Sequence, residues 1–426
     1  MLHKPMPSDS SQGILLERYL DCRRHSEKIC EPLETEDFSI QSMPDVSPPK
    51  WHLAHTTWFF ETFILLPYLD DYRLFHPEFP TLFNSYYQSI GRMHPRPERG
   101  NLARPSQQVV QNYRKTVDAA IVELVKNAPD EHQTKINELL EIGIQHEQQH
   151  QELLLMDIKY NFFKNPSYPT YLTLTDEAGN AEKLHPLQWL NLKEGLYHIG
   201  SPEGGFAYDN EKSRHRVFIE PVQIADRLIT NCEYLEFIDD GGYERFEFWL
   251  AEGWDLIQRE HIKHPLYWLK DRSQWLEFTL HGLQNLDPFR PVHHVSYFEA
   301  DAFAKWKACR LPSEFEWEAL AQQNKLEGQF LDFFDLRPAN AKFTNSCHQL
   351  YGYAWEWTMS SYSPYPGFKA EHGALGEYNG KFMVNQYVLR GGSCLTPEGH
   401  VRPSYRNFFP SHSRWMVSGI RLAREE

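Results

Sequence analysis

At 426 residues the chain is too long for one ordinary hydrophobic core, so two or three domains are expected. A formal net charge of -15 argues against a nucleic acid held through its phosphates and favours a small-molecule partner. Aromatic residues at 14% and charged residues at 24% exclude a disordered chain and leave aromatic surface for a binding cleft.

In chain order, Met1-Leu2-His3-Lys4-Pro5 lacks the hydrophobic segment of a signal peptide, and no later apolar run approaches the roughly 20 residues of a membrane helix. Ile14 to Ser26 carries a short helical pattern, followed by an acidic stretch from Glu31 to Asp37. In Ser47-Pro48-Pro49-Lys50-Trp51-His52-Leu53-Ala54-His55 the prolines predict a helix start, because their missing donors fall where the first turn has no acceptors. His52 and His55 are then helical neighbours, and Leu53, Trp58 and Phe59 predict burial. For either histidine alone, a hydrogen-bonded core role competes with metal ligation.

The next stretch, Leu82-Phe83-Asn84-Ser85-Tyr86-Tyr87 followed by Arg92, Pro95-Arg96-Pro97, Arg99-Gly100 and Arg104-Pro105, reads as a fixed loop. Its arginines either clamp a carboxylate by bidentate hydrogen bonds or are simply solvated. Arg104 to Asn127 returns to a helical pattern. Lys135 to Lys159 contains one glycine, Gly143, and no proline, with an apolar stripe of Ile136, Leu139, Leu140, Ile144, Leu153, Leu154 and Ile158. Together these segments predict a four-helix bundle.

Within the last helix, His146-Glu147-Gln148-Gln149-His150 places two imidazoles one above the other, which is metal-ligand spacing. The alternatives are two solvated or core histidines, or a zinc-protease site in which Glu147 is the general base. A third ligand decides between them. Two bundle helices can aim side chains at one interior point, so His55 is the expected third ligand and His52 a supporting or packing residue. Three histidines suit zinc as well as iron.

The linker is expected over residues 166–187, with the polar run Thr175 to Glu182, between a helical domain of residues 1–165 and a second domain of residues 188–426. From Gln188 onward come short strands, glycines and aromatics, including Arg310-Leu311-Pro312-Ser313-Glu314-Phe315-Glu316-Trp317-Glu318, Trp355-Glu356-Trp357, Leu389-Arg390-Gly391-Gly392-Ser393 and Gly419-Ile420-Arg421-Leu422-Ala423. These strings resemble the formylglycine-generating-enzyme or sulfatase-modifying-factor family, which implies a C-type-lectin-like α+β domain. Tyr353 and Ala354 stand where that family's calcium-binding version usually has Asn-Val, which argues against a calcium site. Cys394 stands where a tryptophan is commoner, which argues against formylglycine chemistry. The six cysteines form no CxxC pair, so free thiols and a cytoplasmic location are expected.

The N-terminal half is similar to DinB-like metal-binding bundles, giving an α+β multidomain chain. The fusion of Trp51-His52-Leu53-Ala54-His55, His146 to Glu152 and the sulfatase-modifying-factor strings resembles the sulfoxide synthases of ergothioneine biosynthesis. That resemblance implies a non-haem iron(II) oxygenase with His55, His146 and His150 as ligands. Its implied substrates are hercynine (Nα-trimethylhistidine), a cysteine-containing thiol and O2, joined to a sulfoxide. Gln149 and Asn407 would hydrogen-bond hercynine, and aromatic faces such as Phe408, Trp415, Trp355 and Phe368 would receive its quaternary ammonium. Family members using γ-glutamylcysteine carry an acidic residue where this chain has Phe409. Free cysteine is therefore expected, its carboxylate held by Arg96 with Arg92 as substitute. The expected proton donor is Tyr87, with Tyr86 beside it; Tyr365 resembles the position used in another branch.

Sister activities on the same fold are ovothiol-type coupling to histidine and selenium transfer to hercynine. Ovothiol enzymes usually carry a further C-terminal methyltransferase domain, and the chain's end at Glu425-Glu426 sets the expectation against that activity. A binding module without turnover is the alternative from another class, and it predicts a closed metal shell.

Overall fold

The computed structural model describes residues 8–173, 186–331, 335–341, 347–371 and 373–425. The predicted linker run Thr175 to Glu182 lies outside the described residues. The chain divides into two compact units, Met1–Lys164 with Gly373–Leu375, and Asn165–His372 with Gly376–Glu426.

The first unit is built on four long helices: α1 (Ser8–Cys30), α2 (Pro49–Phe60), α5 (Gln107–Asn127) and α6 (Asp130–Lys164). Between α2 and α5 come the short helical pieces α3 (Leu66–Tyr68) and α4 (Phe79–Leu82) and a 3-10 turn, Arg96–Asn101. α1 packs on α5 and α6, and α2 packs on the same two, which closes a four-helix bundle. Pro49 takes the first helical position of α2, as the missing donor requires, and all twelve residues of α2 are buried. A helix buried on every side lies in the core, and this one carries the polar side chains of His52 and His55 there with it. At its end the backbone widens into a π turn, Glu61–Leu65.

α5 begins three residues later than the sequence pattern predicts. Ser106 caps it by accepting from the Val109 N–H, and Pro105 biases Arg104 away from helical torsions. α6 runs through Gly143 without a break, and Phe60 fills the space a side chain there would occupy.

The second unit is sheet-rich α+β. Strand β1 (Trp189–Leu192) pairs with β4 (Val222–Ala225), which pairs on its other side with β12 (Ala423–Glu425), so the chain's last strand returns to its first sheet. β2 (Gly195–Ile199) and β3 (His215–Ile219) form a hairpin, and β5 (Trp268–Asp271), β6 (Gln274–Thr279) and β7 (Gly282–Asn285) form a meander. The fourth sheet has the order β10 (Asn407–Pro410), β9 (Gln386–Arg390), β8 (Trp355–Ser361), β11 (Ser418–Gly419). Helices α7 (Asn231–Asp239), α8 (Ala251–Arg259), α9 (Tyr297–Trp306) and α10 (Glu314–Ala321) accompany these sheets.

The acidic residues of the sequence motifs are held inside this unit by distant arginines. Glu314 pairs with Arg406, Glu318 with Arg390 and Glu356 with Arg421, every partner buried. Ser313 and Glu316 form a capping box at the start of α10, and Arg310 grips Glu316 through two 2.8 Å bonds. The motif carboxylates thus serve as anchors for strands. All six cysteines are free, and among the described residues no helix is long and apolar enough to cross a membrane.

Candidate metal centre

α2 and α6 lie side by side, and three of their histidines converge. His55, His146 and His150 each offer a ring nitrogen such that these atoms lie within 4.8 Å of one another. Ring centroids are 5.0 Å apart for His55 and His146, and 4.7 Å for each pair involving His150. Among the described residues this is the one cluster of three or more potential ligands.

The protonation pattern suits ligation. His55 Nδ1 lies 2.5 Å from the Phe83 carbonyl, which only accepts, so Nδ1 carries the proton and Nε2 keeps its lone pair. That Nε2 is buried without a partner, as are both ring nitrogens of His146. Orphaned buried nitrogens cost about 1–3 kcal/mol each, and a cation among them would satisfy them together. Burial lowers the pKa of all three histidines, that of His146 to about 4. For His55 and His150, mutual repulsion with neighbouring imidazoles lowers it further. Neutral imidazole is the form that binds metal, so the donor set fits a divalent transition ion.

Aromatic packing fixes the first ring. His55 is sandwiched between Trp51 at 4.5 Å and Trp58 at 5.5 Å, nearly parallel to both. Phe59 covers His146 at 4.8 Å. His52 is not part of the triad; its Nδ1 reaches His150 Nδ1 at 2.9 Å and its Nε2 reaches Asp157 at 3.0 Å.

Glu147 corrects the zinc-protease alternative. Its carboxylate is fully buried and bound by Arg23 at 2.7 Å, Arg114 at 3.1 Å and Ser26 at 2.6 Å. Burial alone would raise its pKa, but Arg23 and Arg114 outweigh that and hold it below the ordinary range. One residue along a helix is a rotation of about 100°, which turns Glu147 away from the histidines and into an ion-pair network. It is not available as a general base.

Arg92 and Arg96 are both exposed, and Arg96 donates to the Asp45 carbonyl. The arginine drawn in toward the cluster is Arg99, three residues on in the 3-10 turn. It is buried, lies 3.3 Å over the Trp51 ring and donates to Ser47 Oγ at 2.8 Å, and among the described residues no carboxylate pairs with it. Burial lowers its pKa, and Arg96 lowers it further. The sequence shows Arg99 only as one of several loop arginines; the three-residue spacing from Arg96 was the available signal.

Tyr87 is buried, its ring 5.6 Å from Trp58 and 5.4 Å from Phe63, with Tyr86 Oη at 3.4 Å from its own hydroxyl. Tyr86 is half-buried. Gln149 is half-buried on α6, next to His150. Tyr365, in contrast, donates to Glu314 at 3.0 Å and lies under the Arg406 guanidinium, so its hydroxyl is engaged inside the second unit.

Of the remaining predicted residues, Asn407, Phe408 and Phe409 lie on β10 of the second unit. Asn407 Oδ1 accepts from the Phe408 N–H at 2.9 Å; Phe408 stacks on Tyr362 at 4.0 Å, and Phe409 meets Trp415 edge-on at 5.6 Å. Trp415 is buried with an unpartnered Nε1. Trp355 is buried against Tyr405, and Phe368 is half-buried.

Comparison with known proteins divides the chain in the same way. Residues 18–154 match the DinB superfamily, and residues 176–346 and 332–426 match the sulfatase-modifying factor enzyme 1-like domain. The hercynine oxygenase of Mycobacterium tuberculosis is 29% identical over 413 residues, covering 91% of this chain and 93% of that protein. That of Mycolicibacterium smegmatis is 29% identical over 432 residues, covering 93% and 96%. Ergothioneine biosynthesis protein 1 of Schizosaccharomyces pombe is 28% identical over 232 residues, 51% of this chain and 28% of that one. The chain belongs to the sulfatase-modifying factor enzyme 1-like family, joined to a DinB-superfamily helical domain, with hercynine oxygenases among its relatives.

Proposed function

We propose that this protein is an iron(II)-dependent oxygenase of ergothioneine biosynthesis that joins hercynine to free cysteine as a sulfoxide. The observation that carries the reading is the convergence of buried His55 and His146 with half-buried His150, the first two offering unpartnered ring nitrogens, in a chain whose relatives include hercynine oxygenases. The overall change balances with one O2: the imidazole C–H and the cysteine S–H are lost, a C–S bond forms, one oxygen atom goes to sulfur and the other leaves as water.

An iron(II) ion held by three neutral imidazoles supplies open coordination positions and redox capacity toward O2. The chain's own residues bind and orient. Gln149 and Asn407 are assigned to hercynine, and Phe408 and Trp415 offer aromatic faces to its trimethylammonium, which has no hydrogen to donate. Phe409 has no carboxylate to form an ion pair with a glutamyl ammonium, which favours cysteine over γ-glutamylcysteine. Arg96, with Arg92 as substitute, is assigned to the cysteine carboxylate; the buried Arg99, which no carboxylate pairs among the described residues, supports an arginine in this role on the same turn. Tyr87, with Tyr86 at its hydroxyl, is assigned to proton delivery. Free thiols and a thiol substrate both suit the cytoplasm.

The test is anaerobic loading with iron(II), then oxygen uptake and mass spectrometry with hercynine paired in turn with cysteine, γ-glutamylcysteine and a selenosugar, and histidine paired with cysteine. Uptake with a cysteine–hercynine sulfoxide carrying one labelled oxygen from 18O2 is expected, and His150→Ala is expected to abolish it. Turnover of another pair alone would move the activity to a sister reaction. No turnover with any pair would favour a binding module.

A further inference from the structure

We infer that Asp157 and His52 are positioning residues that decide which nitrogen His150 presents to the metal. The inference rests on the three-histidine reading above. His52 lies on α2 and is 3% exposed, with both ring nitrogens engaged: Nε2 is 3.0 Å from Asp157 Oδ2, and Nδ1 is 2.9 Å from His150 Nδ1.

A carboxylate can only accept, so His52 Nε2 carries the proton and donates to Asp157. In a neutral imidazole the other nitrogen is then an acceptor. His150 Nδ1 must supply the proton for the 2.9 Å contact, which leaves His150 Nε2 as the bare nitrogen. The direction of every bond is set from one end, by the Asp157 oxygen that also accepts the Ser47 N–H.

The same carboxylate oxygen accepts the Ser47 N–H at 2.7 Å, immediately before the two prolines that open α2. Asp157, on α6, therefore ties down the start of the helix that carries His52 and His55, as well as the tautomer of His150. His55 obeys the same rule through a different acceptor, the Phe83 carbonyl. The two nitrogens of His52 are both consumed in this chain, so His52 cannot serve as a fourth ligand without breaking it.

Removing such an acceptor from behind a metal-bound histidine typically costs ten- to a hundred-fold in metal affinity. The test is cobalt(II) binding to the full chain, read from visible absorption in competition with a chelator, for wild type, His52→Phe and His52→Asn. Phenylalanine keeps the ring volume without an acceptor. Asparagine can place its amide oxygen near the former Nδ1 and accept from His150.

Affinity roughly ten- to a hundred-fold weaker in His52→Phe with shifted absorption bands, and recovery to within a few-fold with wild-type bands in His52→Asn, would establish the relay. Wild-type binding by His52→Phe would overturn it. Equal loss in both variants with unchanged helical circular dichroism would also overturn it, by assigning His52 to ring packing. A measurement without any substitution guards against misfolded variants: 15N NMR of histidine-labelled, zinc-loaded wild type should show His150 protonated at Nδ1 and ligated at Nε2. The reverse assignment would sink the relay while leaving the triad intact, whereas a wild type that takes up no metal would sink the three-histidine reading itself.

Discussion

Glu147 shows how one position inside a familiar motif takes its role from what surrounds it. Arg23 and Arg114 are both 2% exposed or less, and Glu147 is the carboxylate they share. Removing one partner of a buried ion pair strands the others, at a cost of about 3–5 kcal/mol. Glu147→Gln is therefore expected to lower stability by that order in denaturant unfolding followed by helical circular dichroism. The folded pKa of Glu147 lies below its ordinary value, so its stabilisation is present above the usual carboxylate range and is lost as pH falls through the folded pKa. The gap between wild type and Glu147→Gln should accordingly close in acid. A general base in the same place would predict the opposite pattern, with stability kept and hydrolysis lost.

At the scale of the helix, the close approach of α2 and α6 depends on Gly143. A Cβ added there would fall 2.2 Å from Phe60 Cε1. Alanine gains about 1 kcal/mol of helix propensity over glycine, while forcing a packed aromatic ring aside costs about 1–3 kcal/mol. The clash should win. Gly143→Ala is expected to lower the melting temperature, and Gly143→Ala with Phe60→Leu to recover part of the loss; a rise in the single variant would mean that the ring yields freely. This contact matters to the metal centre because Phe60 and His55 share α2, as Gly143 and His146 share α6. Sliding one helix on the other would part the ligands.

Across the whole molecule, buried charge pairs hold the second unit together over long sequence separations. Glu356 and Arg421 are both fully buried, joined by two 2.7 Å bonds, and Trp317 donates to the same carboxylate. Arg421→Met should cost about 3–5 kcal/mol by stranding Glu356. Glu356→Gln combined with Arg421→Met should recover much of that, since the amide oxygen still accepts from Trp317 and no charge is left unpaired. Calorimetric unfolding of the two single variants and the double variant gives the coupling directly. Additive losses would show that the pair is not the anchor.

Much of this molecule can be read from local spacing, because the helix period is a property of the chain alone. The bundle helices, the proline-marked start of α2 and the shared face of His146 and His150 follow from residues no more than a few turns apart. The later start of α5 came from a cap and a proline whose local effect outweighs the broader pattern. What spacing does not carry is how each helix is turned toward its neighbour. That rotation brought Arg99 rather than Arg96 or Arg92 in over Trp51, sent Glu147 to Arg23 and Arg114, and set His52 against Asp157, 105 positions away. In the second unit the motif strings were plain in the sequence, yet the pairing of Glu314 with Arg406, 92 positions apart, and of Glu356 with Arg421, 65 apart, is decided only when the strands close. Buried charges find their partners by three-dimensional proximity, and that proximity exists only in the assembled fold.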